Sequence, residues 1–369
     1  MAAQPLVSVV IPTYNRAHLI GRTLDSVRAQ TFGELEIVVV DDGSTDDTRA
    51  RVEAIAAIDR RVRYVGKPNG GPASARNAGF RSARGDYVAL IDSDDTWYPW
   101  KVALQVRCME RFPALGMTWT DMEMINPSGH VVEPRYLRHM YTAYRWFSDD
   151  DLFPQTFALA ELAPDLAGVV GAARLRVGNL FSKMIMGNLV HTSTVMLRRE
   201  RLERVRAFDE SLRRSGEDYD FHLRTCREGP VALLDLPAIR YQQGMPDRLT
   251  AKHYNVDMAE NLLKTLVPVI ERDRALIDLP DAMIRRTLAK AHAWLAYERL
   301  ERGEVAAARA HYLASLRQRP WQPEILKPLL FAAMPFDLGP PVRERLRAVK
   351  ARLRALLQMP EPKSGGVGT

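Results

Sequence analysis

Short β-branched runs alternate with helix-patterned stretches through the first 95 residues, and most of the runs are closed by unusual polar residues. Residues 6–11, 36–40, 62–65 and 86–91 read as strands. Between them, Leu19, Ile20, Thr23, Leu24 and Val27 repeat at helical spacing, Ser44 or Thr45 offers a cap for a second helix, and 70–84 reads as a third. Strand–helix–strand units of this length predict an α/β fold, a mostly parallel Rossmann-like sheet flanked by helices and joined by right-handed crossovers. In such sheets ligands lie beyond the carboxyl ends of the strands. That is where Thr13-Tyr14-Asn15, Asp41-Asp42 and Asp92-Ser93-Asp94-Asp95 fall.

Downstream, 97–112 reads as a helix, 116–125 and 190–197 as strands, 216–228 as a helix that opens with Glu217-Asp218, and 231–236 as a strand. Residues 126–180 carry Tyr136, Tyr141, Tyr144, Trp146 and Phe147 close together and give no regular pattern. They are expected to be a variable, acceptor-side segment, serving either as a mobile platform or as an extra packing layer. Beyond about 250 only helical patterns remain. The pattern over 287–319 predicts a helical hairpin around Gly303 resembling a single tetratricopeptide unit, and one such unit cannot build a solenoid. The expected organisation is a catalytic-type domain over 1–250, a helical extension over 251–358 and a disordered tail over 359–369.

The net charge of +7 is concentrated at the C-terminal end: residues 281–369 hold 16 Lys/Arg against 8 Asp/Glu, leaving −1 for the first 280. The basic balance therefore says little about the ligand of the main domain, and no RNA or DNA motif accompanies it. A basic amphipathic helix is expected at 341–357, with Val342, Leu346, Val349, Leu353 and Leu356 on one face, and it could lie on an anionic membrane. The two cysteines, Cys108 and Cys226, lack disulfide-framework or zinc spacing and read as reduced. The N-terminus shows no basic leader, and no apolar run approaches the ~20 residues of a membrane span. A cytoplasmic protein, at most peripheral at the inner face of the cell membrane, is the expectation.

Carboxylates at i and i+2 on an irregular turn suit a hard divalent cation, so Asp92 and Asp94 are candidate ligands for Mn²⁺ or Mg²⁺. Alone, that pattern also fits an acidic turn capping the next helix. Its context is more specific. The segments VSVVIPTYNR, VVVDDGSTDDT, GGPASARNAGF, YVALIDSDD and GEDYDF, in this order across about 220 residues, resemble the family 2 glycosyltransferases of the GT-A fold.

The resemblance implies an inverting, metal-dependent transfer of a sugar from a nucleotide diphosphate donor, with a UDP-sugar favoured, to a saccharide or lipid-linked acceptor. Bacterial polysaccharide, lipopolysaccharide or glycolipid assembly is the implied setting. It implies that Pro12, Thr13 and Tyr14 lie against base and ribose, and that Asp41 or, as first choice, Asp42 accepts from the base, with Gly43 giving the tight turn. Arg76 would approach the diphosphate, and Gly70, Gly71 and Lys67 are lesser candidates for the same anion. Asp92 and Ser93 would contact ribose or metal-bound water, and Asp94 would bind the metal. Asp218 would be the general base, with Glu217 orienting it. His253 would be a lesser candidate for the diphosphate or metal, His191 reads more readily as structural than as acceptor-binding, and Trp97 and Trp100 suit an acceptor pocket or the core equally. A sugar nucleotidyltransferase fits less well, because Pro12-Thr13-Tyr14-Asn15 stands where those enzymes carry a glycine-rich loop. The main alternative is a catalytically silent nucleotide-binding scaffold acting through its helical tail.

Overall fold

The computed structural model describes residues 5–212, 214–243 and 254–333. His253, the basic helix expected over 341–357 and the tail over 359–369 lie outside the described residues. The chain divides into two compact units, residues 1–261 with 270–278, and residues 262–269 with 279–369.

The first unit is built on one sheet. Its N-terminal half alternates β1 (Val7–Thr13), α1 (Ile20–Arg28), β2 (Leu35–Asp41), α2 (Thr48–Ile58), β3 (Val62–Gly66), α3 (Gly71–Ser82) and β4 (Tyr87–Leu90). All of β1 and β4 and six of the seven residues of β2 are buried, the pattern of parallel strands covered on both faces. Then come β5 (Thr96–Trp97), α4 (Lys101–Arg111), β6 (Met117–Ile125), β7 (Val131–Glu133), β8 (Gln155–Ala158), β9 (Arg174–Gly178), β10 (Met196–Arg198), the helix Glu217–Arg227 and β11 (Val231–Gln242). Among the described residues these strands form one sheet in the order β3-β2-β1-β4-β10-β6-β11-β9-β8, with β5 on β11 and β7 on β6. Strands β1 to β4 pair parallel, as do β6 and β11, while β10 runs antiparallel between β4 and β6.

Several elements differ from the sequence pattern for local reasons. The helix expected from 97 starts only at Lys101, because Thr96–Trp97 pairs with β11 and Pro99 precedes the first turn. The strand expected over 190–197 is confined to Met196–Arg198, since 192–194 forms a 3₁₀ turn in which the Thr194 hydroxyl donates to His191 O at 2.6 Å. The acidic Asp95 does not cap a helix: its carboxylate accepts from Gln242 N at 3.0 Å and ties the turn to the end of β11. Strand β11 itself runs six residues past 236, with irregular register around Pro237. Residues 126–180 contribute β7, β8 and β9, and Leu159, Val170 and Leu175 pack with Leu104, Cys108 and Leu234 in a buried cluster. Both cysteines are buried and free.

In the second unit the helices Asp281–Glu301 and Val305–Gln318 form a hairpin that turns at Gly303, whose φ is +80°. Ala296, Leu300, Ala308, Tyr312 and Ile325 make its core, the last from the helix Pro323–Ala333. Among the described residues no helix is long and apolar enough to cross a membrane.

Helix α3 lies close on β1 because Gly79 has no side chain: a Cβ there would come within 2.2 Å of Val10 Cγ1. Gly79→Ala is therefore expected to destabilise the fold by about 1–3 kcal/mol through overpacking, read as a lower urea midpoint at unchanged m. A midpoint equal to wild type would show that the helix can lift at no cost.

Candidate active site

The ends of β1 and β2 form the first wall. Pro12 and Thr13 are buried, and Thr13 Oγ1 has no hydrogen-bond partner among the described residues. Tyr14, immediately beyond, is 46% exposed, so an aromatic face stands open at the strand end. Asp41 accepts from Ser44 N at 2.8 Å and from the Tyr64 hydroxyl at 2.9 Å. Asp42 accepts from Lys67 Nζ at 2.5 Å, from Gly70 N at 3.0 Å and from Gly71 N at 2.7 Å. The amide pair at the start of α3, a ready anion site, is thus filled by this chain's own carboxylate. Gly43 makes the intervening turn with φ +80°, and a Cβ there would sit 3.0 Å from Asn69 N, so glycine is required on both counts.

The second wall joins the acidic turn after β4 to the helix Glu217–Arg227. Arg76, projecting from α3, donates to Asp92 Oδ1 at 2.8 Å and to Glu217 Oε1 at 2.9 Å. Its guanidinium also lies 5.3 Å from the Phe208 ring centroid. Burial lowers the arginine's proton affinity, but the two carboxylates outweigh it and hold the side chain firmly charged. Burial likewise opposes ionisation of Asp92, and the Arg76 charge overcomes it and keeps that carboxyl below its usual range. Gly216, with φ +94°, starts the helix, whose first turn carries Glu217, Asp218 and Asp220 at the positive end of the dipole. Asp218 Oδ1 accepts from Tyr219 N at 2.7 Å, and Asp218 forms no ion pair among the described residues.

Asp94 is the unbalanced charge. Its carboxylate makes no hydrogen bond or ion pair with another described residue, and burial followed by repulsion from Asp95 and Asp92 pushes it up to about 7. Glu217 is also raised to about 7, by burial and by Asp218, against the pull of Arg76. No group of three or more His, Cys, Asp or Glu side chains among the described residues is arranged to hold a metal. Mg²⁺ and Mn²⁺ are commonly held by one or two carboxylates, with substrate phosphates and water completing the shell. An unpartnered, mutually repelling carboxylate at a strand end fits that kind of site. It does not fit an all-protein cage.

The residues singled out in the sequence therefore gather at one edge of the sheet, but two of them are engaged differently from the simplest expectation. Arg76 is spent on Asp92 and Glu217, and Asp42 on Lys67 and the α3 amides. Ser93 is buried within the turn, and Trp97 is buried with its indole donating to Ser193 O at 2.8 Å. Ser193 Oγ in turn accepts from Asp92 N at 3.0 Å, so Trp97 braces the acidic turn. Trp100 stacks on Tyr98 at 5.8 Å and packs against the Leu104 cluster. The motifs do not single out Tyr141 or Tyr241, which meet His191 here from positions at least 50 apart. No spacing along the chain signals such a meeting.

Residues 8–159 match the family described as glycosyl transferase family 2. An uncharacterized glycosyltransferase of Rickettsia felis is 36% identical over 179 residues, covering 48% of this chain and 28% of that protein. Chondroitin synthase of Pasteurella multocida is 39% identical over 132 residues, covering 36% of this chain and 14% of that protein. The chain thus spans less than a third of the length of these two relatives. The crystal structure of S. aureus TarS 1–349 in complex with UDP-GlcNAc superposes with a TM-score of 0.59 at 19% identity, over 95% of this chain and 92% of that one. Over residues 8–159 the chain is thus similar to family 2 glycosyltransferases, and its fold is of the GT-A type.

Two outcomes follow from the electrostatics. Arg76→Met leaves the buried Glu217 and the partly exposed Asp92 without their cation and is expected to cost about 3–5 kcal/mol at neutral pH. The Asp92 part of that loss shrinks below pH ~4, where the carboxyl is protonated in the unfolded chain as well; denaturation at both pH values checks this. Asp94 has the opposite sign. Its folded value is raised, so the folded chain holds a proton that the unfolded chain has released between pH ~4 and about 7, and stability falls as pH rises through that window. Asp94→Asn should therefore raise the melting temperature of the metal-free protein at pH 8, by on the order of a few degrees, and leave it unchanged at pH 4. Equal melting temperatures at pH 8 would contradict the repulsion.

Proposed function

We propose that this chain is an inverting glycosyltransferase that moves a sugar from a nucleotide diphosphate donor, a UDP-sugar in the first instance, to an acceptor hydroxyl. The observation that carries the reading is the Arg76 bridge. It locks the acidic turn to the start of the Glu217–Arg227 helix, and neither Asp94 nor Asp218 forms an ion pair among the described residues. The family match over 8–159 and the GT-A fold support it. So does TarS, a protein of the same fold crystallised with UDP-GlcNAc.

In this reading Tyr14 stacks on the base, and Pro12 and Thr13 line it, with Thr13 Oγ1 finding the partner it lacks in the free chain. Asp42 is the first-choice base contact and Asp41 the second. Lys67, the flexible donor among those holding Asp42, is the one that can leave it and turn to the diphosphate. Gly43 keeps the two strand ends close enough for this. Asp92 and Ser93 face the ribose, and Asp94, with Asp92 beside it, is the seat for Mn²⁺ or Mg²⁺. A divalent cation held there would neutralise the diphosphate as it leaves. Arg76 sets the height of the turn and contributes positive potential to the diphosphate side.

Asp218 takes the acceptor hydroxyl proton as that oxygen attacks C1 of the donor sugar. The C1–O bond to the diphosphate breaks with its electron pair going to the leaving group, and a single displacement inverts the anomeric centre. Glu217, held by Arg76, orients the first turn that presents Asp218. We further propose assembly of a polysaccharide, lipopolysaccharide or glycolipid as the setting, in line with the polysaccharide named for the Pasteurella relative. Contact of residues 341–357 with an anionic membrane surface would bring the enzyme to a lipid-linked acceptor.

The decisive experiment is a thermal-shift panel of UDP, dTDP, GDP and CMP, each with and without Mn²⁺, on wild type, Asp94→Ala and Asp218→Asn. One nucleotide should stabilise wild type in a metal-dependent way, by ~2.7 kcal/mol at a hundred times its dissociation constant. Asp94→Ala should lose that shift. Asp218→Asn should keep it while turnover of the matching nucleotide sugar falls roughly 10²–10⁴-fold. No shift from any nucleotide would turn the assignment toward a silent scaffold.

A further inference from the structure

We infer that His191, with Tyr141, Tyr241 and Tyr136, forms a saccharide subsite for the acceptor next to Asp218; this rests on the glycosyltransferase reading above. His191 is 9% exposed, and its Nε2 is buried with no hydrogen-bond partner among the described residues. Its other nitrogen is occupied: Nδ1 lies 3.1 Å from the Tyr141 hydroxyl. With Tyr141 donating to Nδ1, the ring proton resides on Nε2, and the Asp95 carboxylate 3.8 Å away favours that tautomer. Nε2–H is then a buried donor without an acceptor among the described residues, a costly state unless a ligand completes it.

The surroundings say what kind of ligand. The imidazole meets the Tyr241 ring edge-on at 5.0 Å, and Tyr136 stacks on Tyr241 at 6.0 Å with 16° between planes. Tyr136, Tyr141 and Tyr241 are each only partly buried, so their rings border the cleft as well as the interior. Flat apolar faces beside one directed polar donor suit a sugar ring, whose C–H patch lies on an aromatic face while its hydroxyls seek hydrogen bonds. The position is also suitable. The charges of Asp218 and Asp92 both act on Tyr141, His191 acts on Asp92, and His191 Nε2 lies 3.8 Å from Asp95, so the cluster is near both the acidic turn and the proposed base. A sugar resting there would offer one hydroxyl to Nε2 and a neighbouring one to Asp218. Three separate stretches build the cluster: Tyr136 and Tyr141 from the irregular 126–180 segment, His191 from the turn before β10, and Tyr241 from the end of β11.

The test is saturation-transfer NMR with methyl glucoside, galactoside, mannoside and N-acetylglucosaminide at millimolar concentration, in the presence of Mn²⁺ and the nucleotide that stabilises wild type. At least one glycoside should receive saturation from wild type. His191→Phe and Tyr136→Ala should each weaken that signal severalfold, and His191→Gln, which keeps an N–H donor, should restore much of it. The nucleotide-induced thermal shift and its Mn²⁺ dependence should stay unchanged in all three variants. Should His191→Phe not fold, the partly buried Tyr136→Ala carries the comparison. No glycoside signal in wild type, or equal signals in wild type and variants, overturns the subsite and leaves the nucleotide result standing. Loss of the nucleotide shift in His191→Phe also overturns it, since the imidazole would then serve donor or cation. Absence of any nucleotide shift in wild type removes the glycosyltransferase reading itself, and the acceptor role with it.

Discussion

The buried guanidinium of Arg76 joins two carboxylates that lie on separate parts of the chain, Asp92 on the turn after β4 and Glu217 at the head of a helix 141 positions from Arg76. Arg76 and Glu217 are buried and Asp92 is partly so; the buried pair would be costly if either charge stood alone, and together the three are mutually stabilising. The consequence is geometric as much as energetic. Helix α3 pressed onto β1 through Gly79, the acidic turn, and the first turn of the Glu217–Arg227 helix are all referred to a single planar group with fixed donor directions. Whatever the cleft binds is held against a frame whose corners cannot drift independently.

Around that frame the charge is deliberately incomplete. Asp92 is neutralised, Asp95 is tied to the β11 backbone and Asp42 is capped by an amine and two amides. Asp94 forms no ion pair among the described residues, and burial with repulsion from Asp95 and Asp92 outweighs the Arg16 charge and pushes it toward its protonated form. A chain selected only for stability would replace it. An uncompensated carboxylate beside two other acids is the arrangement on which the proposed cation site rests. Thr13 Oγ1 and His191 Nε2 are likewise buried and without a hydrogen-bond partner among the described residues.

The irregular segment 126–180 combines two duties that compete for the same residues. Its later part adds β8 and β9 to the sheet edge and buries Leu159, Val170 and Leu175. Its earlier part delivers Tyr136 and Tyr141 to the cleft, while Tyr144 anchors the stretch by donating to Leu189 O at 2.8 Å. The segment is therefore rigidly seated and still presents aromatic edges to the site. That division explains why no single periodicity runs through it.

Much of the first half was legible because parallel strands buried on both faces must be continuous apolar runs, and the polar residues that end them must then lie at one edge. Val7 to Thr13, Leu35 to Asp41 and Tyr87 to Leu90 obey this, and Asp41, Asp42 and Asp92 to Asp95 follow from it. Chain order alone also determined the Gly43 turn and the acid-rich start of the helix at Glu217, since both depend on neighbours in sequence. What the sequence could not hold was pairing at a distance. The antiparallel insertion of β10, the capture of Asp42 by Lys67 and the α3 amides, and the meeting of His191 with Tyr141 and Tyr241 all depend on contacts across at least 25 positions. Local patterns report burial and backbone preference; only the packed sheet decides which buried charges find partners and which are left for a ligand.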